Sequence, residues 1–232
     1  MEDKINLFNK DCIEKIKDLE DKSIKFVLTD PPYIVATKGG GIVKKREYLN
    51  EIKEADIDKG FDIKDFLTSL TRLFESKEHY NAMFFCSKSQ ILDYLQWATD
   101  NKLQYGVGVW HKTNPPPLCK GKYLNDVEYF IYIKGNLSRI NGEYKDKSLV
   151  YTSGINRKDK KLYSHPTIKP IEILEKFLTV HTNENDVVLD PFLGSGSTAI
   201  ACLNLNRKCI GIELDKTYFD TAKKRIEDHQ KT

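Results

Sequence analysis

The sequence predicts an α/β domain with a mostly parallel sheet and helices on both faces. Two observations carry this. Strand-length apolar runs alternate with segments of helical period along the chain. "YNAMFFCS" (80–87) reads as a buried strand, the kind found in a sheet covered on both sides. A chain of 232 residues, 40% of them hydrophobic, can bury one substantial core, so residues 1–232 are read as a single domain.

Each element follows in turn. Residues 4–9 and 25–30 read as strands flanking a helix over 12–19. In 61–76, Phe61, Phe66, Leu70, Leu73 and Phe74 share a helical face. The strand at 80–87 precedes a helix over 89–101. "QYGVGVWHK" (104–112) and "VEYFIYIKG" (127–135) read as two more strands, and the prolines at 115–117 end the first and separate the pair. A helix over 170–182 has proline at its start. A strand (186–192), a helix (197–206), a strand (208–214) and a closing helix (217–228) complete the chain. Residues 34–60 and 135–163 are glycine-rich or polar and basic, and read as long loops. The aromatic strand at 127–135 reads as core. His79, His181 and His229 have no motif around them and read as surface or loop histidines.

Composition excludes several classes. The net charge of +3 permits a nucleic-acid partner without demanding one. No apolar run reaches the roughly 18 residues of a membrane span, and "MEDKINLFNKD" lacks the pattern of a signal peptide. The five cysteines (Cys12, Cys86, Cys119, Cys202, Cys209) form no CxxC pair, so neither a metal site nor a disulfide framework is expected. Reduced thiols fit a cytoplasmic protein.

Two motifs carry chemistry. "DPFLGSGS" (190–197) follows a strand and opens a helix. Gly194 and Gly196 allow a tight turn and close approach of a ligand, and the helix start offers free N–H groups to a carboxylate or phosphate. Glu213 stands at the end of the next strand, where an acid accepts hydrogen bonds from ribose hydroxyls. The pattern predicts an adenosine-containing cofactor. The second motif, "DPPY" (30–33), ends a strand. Open α/β sheets bind ligands there. Asp30 supplies a carboxylate, the prolines supply carbonyls on a stiff backbone, and Tyr33 supplies an aromatic face. Such a group can accept hydrogen bonds from an exocyclic amine and stack on its ring. A plain strand-ending turn is the competing reading.

Together these motifs resemble the S-adenosylmethionine-dependent DNA amino-methyltransferases, which act on adenine N6 or cytosine N4. "NKDCIEKIKDLEDKSIKFVLTDPPY" (9–33), "WHKTNPPP" (110–117), "DVEYFIYIKG" (126–135), "SHPTIKP" (164–170) and "CIGIELDKTYFDTAKKRI" (209–226) are similar to further segments of that family in the same order. The motif DPPY precedes the glycine motif, as in the permuted beta class. The resemblance implies a Rossmann-like methyltransferase fold with a seven-stranded sheet. It implies a catalytic half at 1–134, a short target-recognition segment at 135–163 with the loop after DPPY as a second candidate, and a cofactor-binding half at 164–232.

The implied activity is transfer of a methyl group from S-adenosylmethionine to a flipped-out adenine in double-stranded DNA, by direct in-line displacement. The implied catalytic residues are Asp30, Pro31, Pro32 and Tyr33. Glu213 is expected at the ribose, and Asp190, Phe192, Gly194, Ser195 and Gly196 around the cofactor. His165, Thr167 and Lys169 are expected at its methionine end, with Lys169 facing the carboxylate. Asp30 is also expected to border the cofactor. Asp11 matches the acid at the cofactor's adenine, but reads equally as a helix N-cap. Asn114 is expected beside the base or in a turn. "KKR" (44–46) and "RKDKK" (157–161) are either phosphate contacts or solvated charge. Restriction-modification is the implied setting, with a homodimer and a cognate restriction enzyme as further partners that the resemblance allows.

Other readings fit less of the chain. Cytosine-C5 chemistry needs a nucleophilic cysteine, commonly after proline, and no Pro-Cys dipeptide occurs. Cytosine N4 is chemically close, but serine usually replaces Asp30 for that target. RNA or protein-glutamine methylation is associated with NPPY. A nicotinamide dehydrogenase would explain Gly194, Gly196 and Glu213, but neither DPPY nor HPTIKP. A silent DNA-binding module would not need Asp30 and Tyr33.

Overall fold

The computed structural model describes residues 4–32, 61–115, 123–155 and 168–231. The strands are β1 (Ile5–Phe8), β2 (Phe26–Thr29), β3 (Asn81–Cys86), β4 (Gln104–Lys112), β5 (Val127–Lys134), β6 (Val150–Ser153), β7 (Val187–Asp190) and β8 (Lys208–Ile212). They form one sheet in the order β1-β8-β7-β2-β3-β5-β4-β6. Every neighbouring pair is parallel except the two made by β5, which runs against the rest. The helices are α1 (Cys12–Asp18), α2 (Ile63–Leu70), α3 (Ile91–Asp100), α4 (Ile171–His181), α5 (Ser197–Asn204) and α6 (Lys216–Gln230).

The central strands are buried on both faces, and successive residues serve opposite cores. Val27, Ala82, Phe84 and Cys86 point to the layer built by α1, α2 and α3. Phe26, Leu28, Met83 and Phe85 point to the layer built by α4, α5 and α6. Phe84 lies between the rings of Phe66 and Tyr94, with centroids 6.1 and 5.1 Å away. Full burial of one such ring contributes roughly 1.5–3 kcal/mol.

The sequence expectation of seven strands is corrected to eight among the described residues. The additional strand, β6, lies inside the polar segment at 135–163 and adds to the outer edge of β4, pairing Val109 with Val150 and Lys112 with Ser153. Four residues among polar neighbours carry too little apolar pattern to read as a strand. Helix α2 is also shorter than its expected span. Asp62 caps its start by accepting from the amides of Lys64 and Asp65, and the chain tightens into a 3-10 turn at Thr71–Leu73. That turn presents Arg72, whose guanidinium donates to the carbonyls of Leu19 at 2.8 Å and Lys17 at 2.9 Å, and to that of Ile16. These carbonyls lie at the end of α1, where a helix leaves acceptors short of intrahelical partners; that of Ile16 also accepts the Leu19 amide.

His181 is a second correction. It is buried at the end of α4, with its ring stacked 4.6 Å from that of Phe26. Asn81 donates to the carbonyls of His181 and Lys25, so its Oδ1 takes the ring N–H of His181 at 2.8 Å. His79 is half-buried and His229 exposed. Among the described residues, no helix is long and apolar enough to cross a membrane.

Candidate active site

Strands β2 and β7 are parallel neighbours, and the chain runs outward from them in opposite directions across the sheet. A crevice at such a switch point, outside the strand ends, is where open α/β sheets hold ligands. Both motifs begin here: Asp30 follows β2, and Asp190 closes β7.

Asp190 is buried, and its Oδ1 accepts from the Thr29 hydroxyl at 2.6 Å and from the Phe192 amide at 3.2 Å. Burial pushes its pKa up to about 6, against the hydrogen bonds from Thr198 and Thr29. The glycine turn follows. Gly196 has φ +82° and stands at the N-cap of α5; a Cβ there would meet Ala222 Cβ at 3.2 Å and Ile226 Cδ1 at 3.3 Å. The Gly194 amide donates to Glu213 Oε2 at 2.8 Å, while Glu213 Oε1 accepts from the Asp215 amide at 2.9 Å. Burial raises the Glu213 pKa, and these amides oppose the rise. Beneath the turn, Arg225 of α6 donates to the Ser195 carbonyl at 3.1 Å and to the hydroxyls of Ser195 and Ser197 at 3.2 and 2.9 Å. Phe192 packs its ring edge against Phe61 and Phe66, which anchors the turn in the core.

Asp11 caps α1, accepting from the Glu14 amide at 3.0 Å. It stands near Glu213: both carboxylates bear on the Cys12 thiol, whose pKa burial pushes up to about 12. The N-cap reading of Asp11 is therefore seen directly.

Asp30 meets Lys169, whose ammonium lies 2.5 Å from Oδ2. The sequence expectation turned Lys169 toward a cofactor carboxylate; its ammonium is held by two protein carboxylates, those of Asp30 and Glu128. Burial works to discharge Lys169, but Asp30 and then Glu128 outweigh it and raise its pKa. Burial likewise opposes the charge on Glu128, but Lys169 and Lys112 lower its pKa to about 2. Next along the chain, the Pro32 carbonyl accepts from Gln90 Nε2 at 2.9 Å. Gln90 is buried, and its Oε1 accepts from the amide and hydroxyl of Ser87 at 3.0 and 2.9 Å.

The structure thus brings Asp30, Pro31, Pro32, Lys169, Asp190, Phe192, Gly194, Ser195, Gly196 and Glu213 to one end of the sheet. Tyr33, His165 and Thr167 lie outside the described residues, as do "KKR" (44–46) and "RKDKK" (157–161). Asn114 accepts from the Ile155 amide at 2.6 Å, tying the end of β4 to the chain after β6.

The profile of the N6/N4 methylase family, described as DNA methylase, matches residues 24–224. The chain belongs to this DNA methylase family. The methylase is 26% identical to Type II methyltransferase M2.DpnII of Streptococcus pneumoniae over 99% of its own length and 92% of that relative. It is 29% identical to Type II methyltransferase M.HinfI of Haemophilus influenzae over 94% and 67%. The crystal structure of the M1.HpyAVI-SAM complex superposes with a TM-score of 0.73 at 30% identity, covering 95% of this chain and 99% of that one. The methylase is thus an S-adenosylmethionine-dependent DNA amino-methyltransferase, as its motifs implied.

Sequence reading missed Glu128, Lys112, Gln90, Thr29 and Arg225 as contributors to this end of the methylase. For Glu128 a signal was present. An acid inside an apolar strand is costly to bury unless something pairs with it. For Gln90 in "SKSQIL" there was none.

Proposed function

We propose that this methylase transfers the methyl group of S-adenosylmethionine to N6 of an adenine flipped out of duplex DNA. The observation that carries this is the juxtaposition of Asp30 and Asp190 on neighbouring strand ends, with the glycine turn on one side and the clamped prolines on the other. The residues suit the cofactor: Glu213 faces the turn with acceptor capacity for ribose hydroxyls, and the start of α5, with the buried guanidinium of Arg225 beneath it, favours a carboxylate. When bound, S-adenosylmethionine supplies an electrophilic methyl on a sulfonium that is already a good leaving group.

The chain's own residues do the rest. The lone pair of an adenine amine is delocalised into its ring. Asp30 and the Pro31 carbonyl, accepting its two N–H hydrogens, favour a pyramidal nitrogen and release that lone pair. Tyr33 stacks on the base, returning roughly 1–3 kcal/mol of the few that flipping costs. Orientation and fixed dipoles supply most of the acceleration. As the N–C bond forms, the C–S electron pair leaves with sulfur, and the nitrogen sheds one proton toward Asp30 or water.

Asp11, His165, Thr167, Phe192 and Ser195 complete the proposed cofactor surroundings. Residues 135–163 and the loop after DPPY are the proposed recognition elements, in a protein acting in the cytoplasm. So short a recognition segment supports a homodimer, and the Type II relatives support pairing with a restriction enzyme.

Labelled methyl transfer to mixed-sequence duplex DNA, with the nucleosides separated, tests the reading. Label in N6-methyladenine is expected, and Asp30→Ala should abolish it while sparing cofactor binding. Label in N4-methylcytosine would overturn the choice of base.

A further inference from the structure

The acid in β5 has no place in the chemistry above, yet it is built into the site. Because β5 runs against its neighbours, its first residues lie at the same edge of the sheet as the last residues of β2, β3 and β4. Tyr129 pairs with Cys86, and Glu128 with Trp110, so Glu128 sits one position beyond the end of β3. Its two carboxylate oxygens serve different cations: Oε1 contacts Lys169 Nζ, and Oε2 lies 2.7 Å from Lys112 Nζ. Lys169 in turn lies 2.5 Å from Asp30 Oδ2 and 4.6 Å from the Phe85 ring centroid. The result is a row of alternating charges, Asp30–Lys169–Glu128–Lys112. Side-chain exposures along it are 24, 7, 14 and 15%.

We infer that Glu128 is a positioning residue for methyl transfer: by sharing the Lys169 ammonium, it leaves the Asp30 carboxylate able to accept the N–H of the target amine. This rests on the role proposed for Asp30. An ammonium adds the full attraction of opposite charges to its hydrogen bond with a carboxylate, and a neutral amine does not. A buried ammonium with Asp30 as its main counter-ion would therefore outcompete a neutral aromatic amine for the same oxygens. A second carboxylate on the far side divides that attraction. Lys112 holds the other oxygen of Glu128 and fixes the direction in which it pulls.

Charge and shape are separable here by two substitutions. Glu128→Gln keeps the shape and the acceptor oxygen but removes the charge; Glu128→Asp keeps the charge but shortens the side chain by one methylene. Single-turnover methyl transfer to duplex DNA at saturating S-adenosylmethionine is measured for both, alongside cofactor affinity. Glu128→Gln should lose roughly 10- to 100-fold in rate, with cofactor affinity within about twofold of wild type. Glu128→Asp should stay within about fivefold, the order that a charge requires. The reverse order, or a Gln variant within about twofold of wild type, would overturn the inference. Were the Gln variant insoluble, a loss beyond about tenfold in Glu128→Asp would do the same. A wild-type protein that methylates no DNA base would overturn the underlying assignment instead, whatever Glu128 does.

Discussion

Thr29 Oγ1 donates a 2.6 Å hydrogen bond to Asp190 Oδ1, joining side chains 161 residues apart. It locks the strand that presents Asp30 to the strand that opens the glycine turn. Replacing Thr29 by Val keeps the shape and removes the hydroxyl. The buried carboxylate then loses one of its donors, which should cost about 1–3 kcal/mol and weaken cofactor binding. Denaturant unfolding and calorimetric titration with S-adenosylmethionine test this. An unchanged midpoint would mean that the bond contributes nothing net.

Gln90 should matter for rate more than for cofactor affinity. It reaches from the start of α3 to the Pro32 carbonyl at 2.9 Å, with its own oxygen tied down by Ser87. Gln90→Leu frees the proline segment from this clamp. Small misplacements of reacting groups cost up to about 100-fold, so a rate loss of roughly 10- to 100-fold at saturating substrates is expected, with cofactor affinity little changed. Equal losses in both would assign the clamp a purely structural role.

Gly196 should not tolerate a side chain. At φ +82° its backbone is in the left-handed region, and an added Cβ would press on Ala222 and Ile226 of α6. Gly196→Ala should destabilise the fold by about 1–3 kcal/mol and loosen the turn that is proposed to hold the cofactor. Thermal unfolding with and without S-adenosylmethionine reads both effects. A variant as stable as wild type with full cofactor-induced stabilisation would refute this.

His181 should make the protein sensitive to mild acid. Burial, and then the nearby charge of Lys134, lower its pKa from 6.5 to about 4. The folded state keeps the ring neutral while the unfolded chain takes up a proton. The stability this group contributes is therefore present above pH 6.5 and is lost as pH falls from 6.5 toward about 4. The total is on the order of 3 kcal/mol. His181→Gln should flatten the dependence of unfolding free energy on pH in that window. A slope identical to wild type would assign the acid sensitivity to other groups.

Much of this molecule was legible in one dimension. The layered α/β plan was readable because strands buried on both faces must be apolar at successive positions, and Phe26, Val27 and Leu28 satisfy opposite cores in turn. The two motifs were readable because their residue types are demanded by local geometry: glycine at Gly196 by a positive φ, prolines after Asp30 by a stiffened strand end. What sequence could not decide was which distant side chains meet. His181 resembles a surface histidine until the sheet brings Phe26 and Asn81 against it. Strand β6 becomes a strand only because β4 offers it an unpaired edge. Glu128 looks like a stray charge in a core strand. Only the reversal of β5 carries it to the end of the sheet where Asp30 and Lys169 lie, and only there does a buried acid find the cations that keep it ionised.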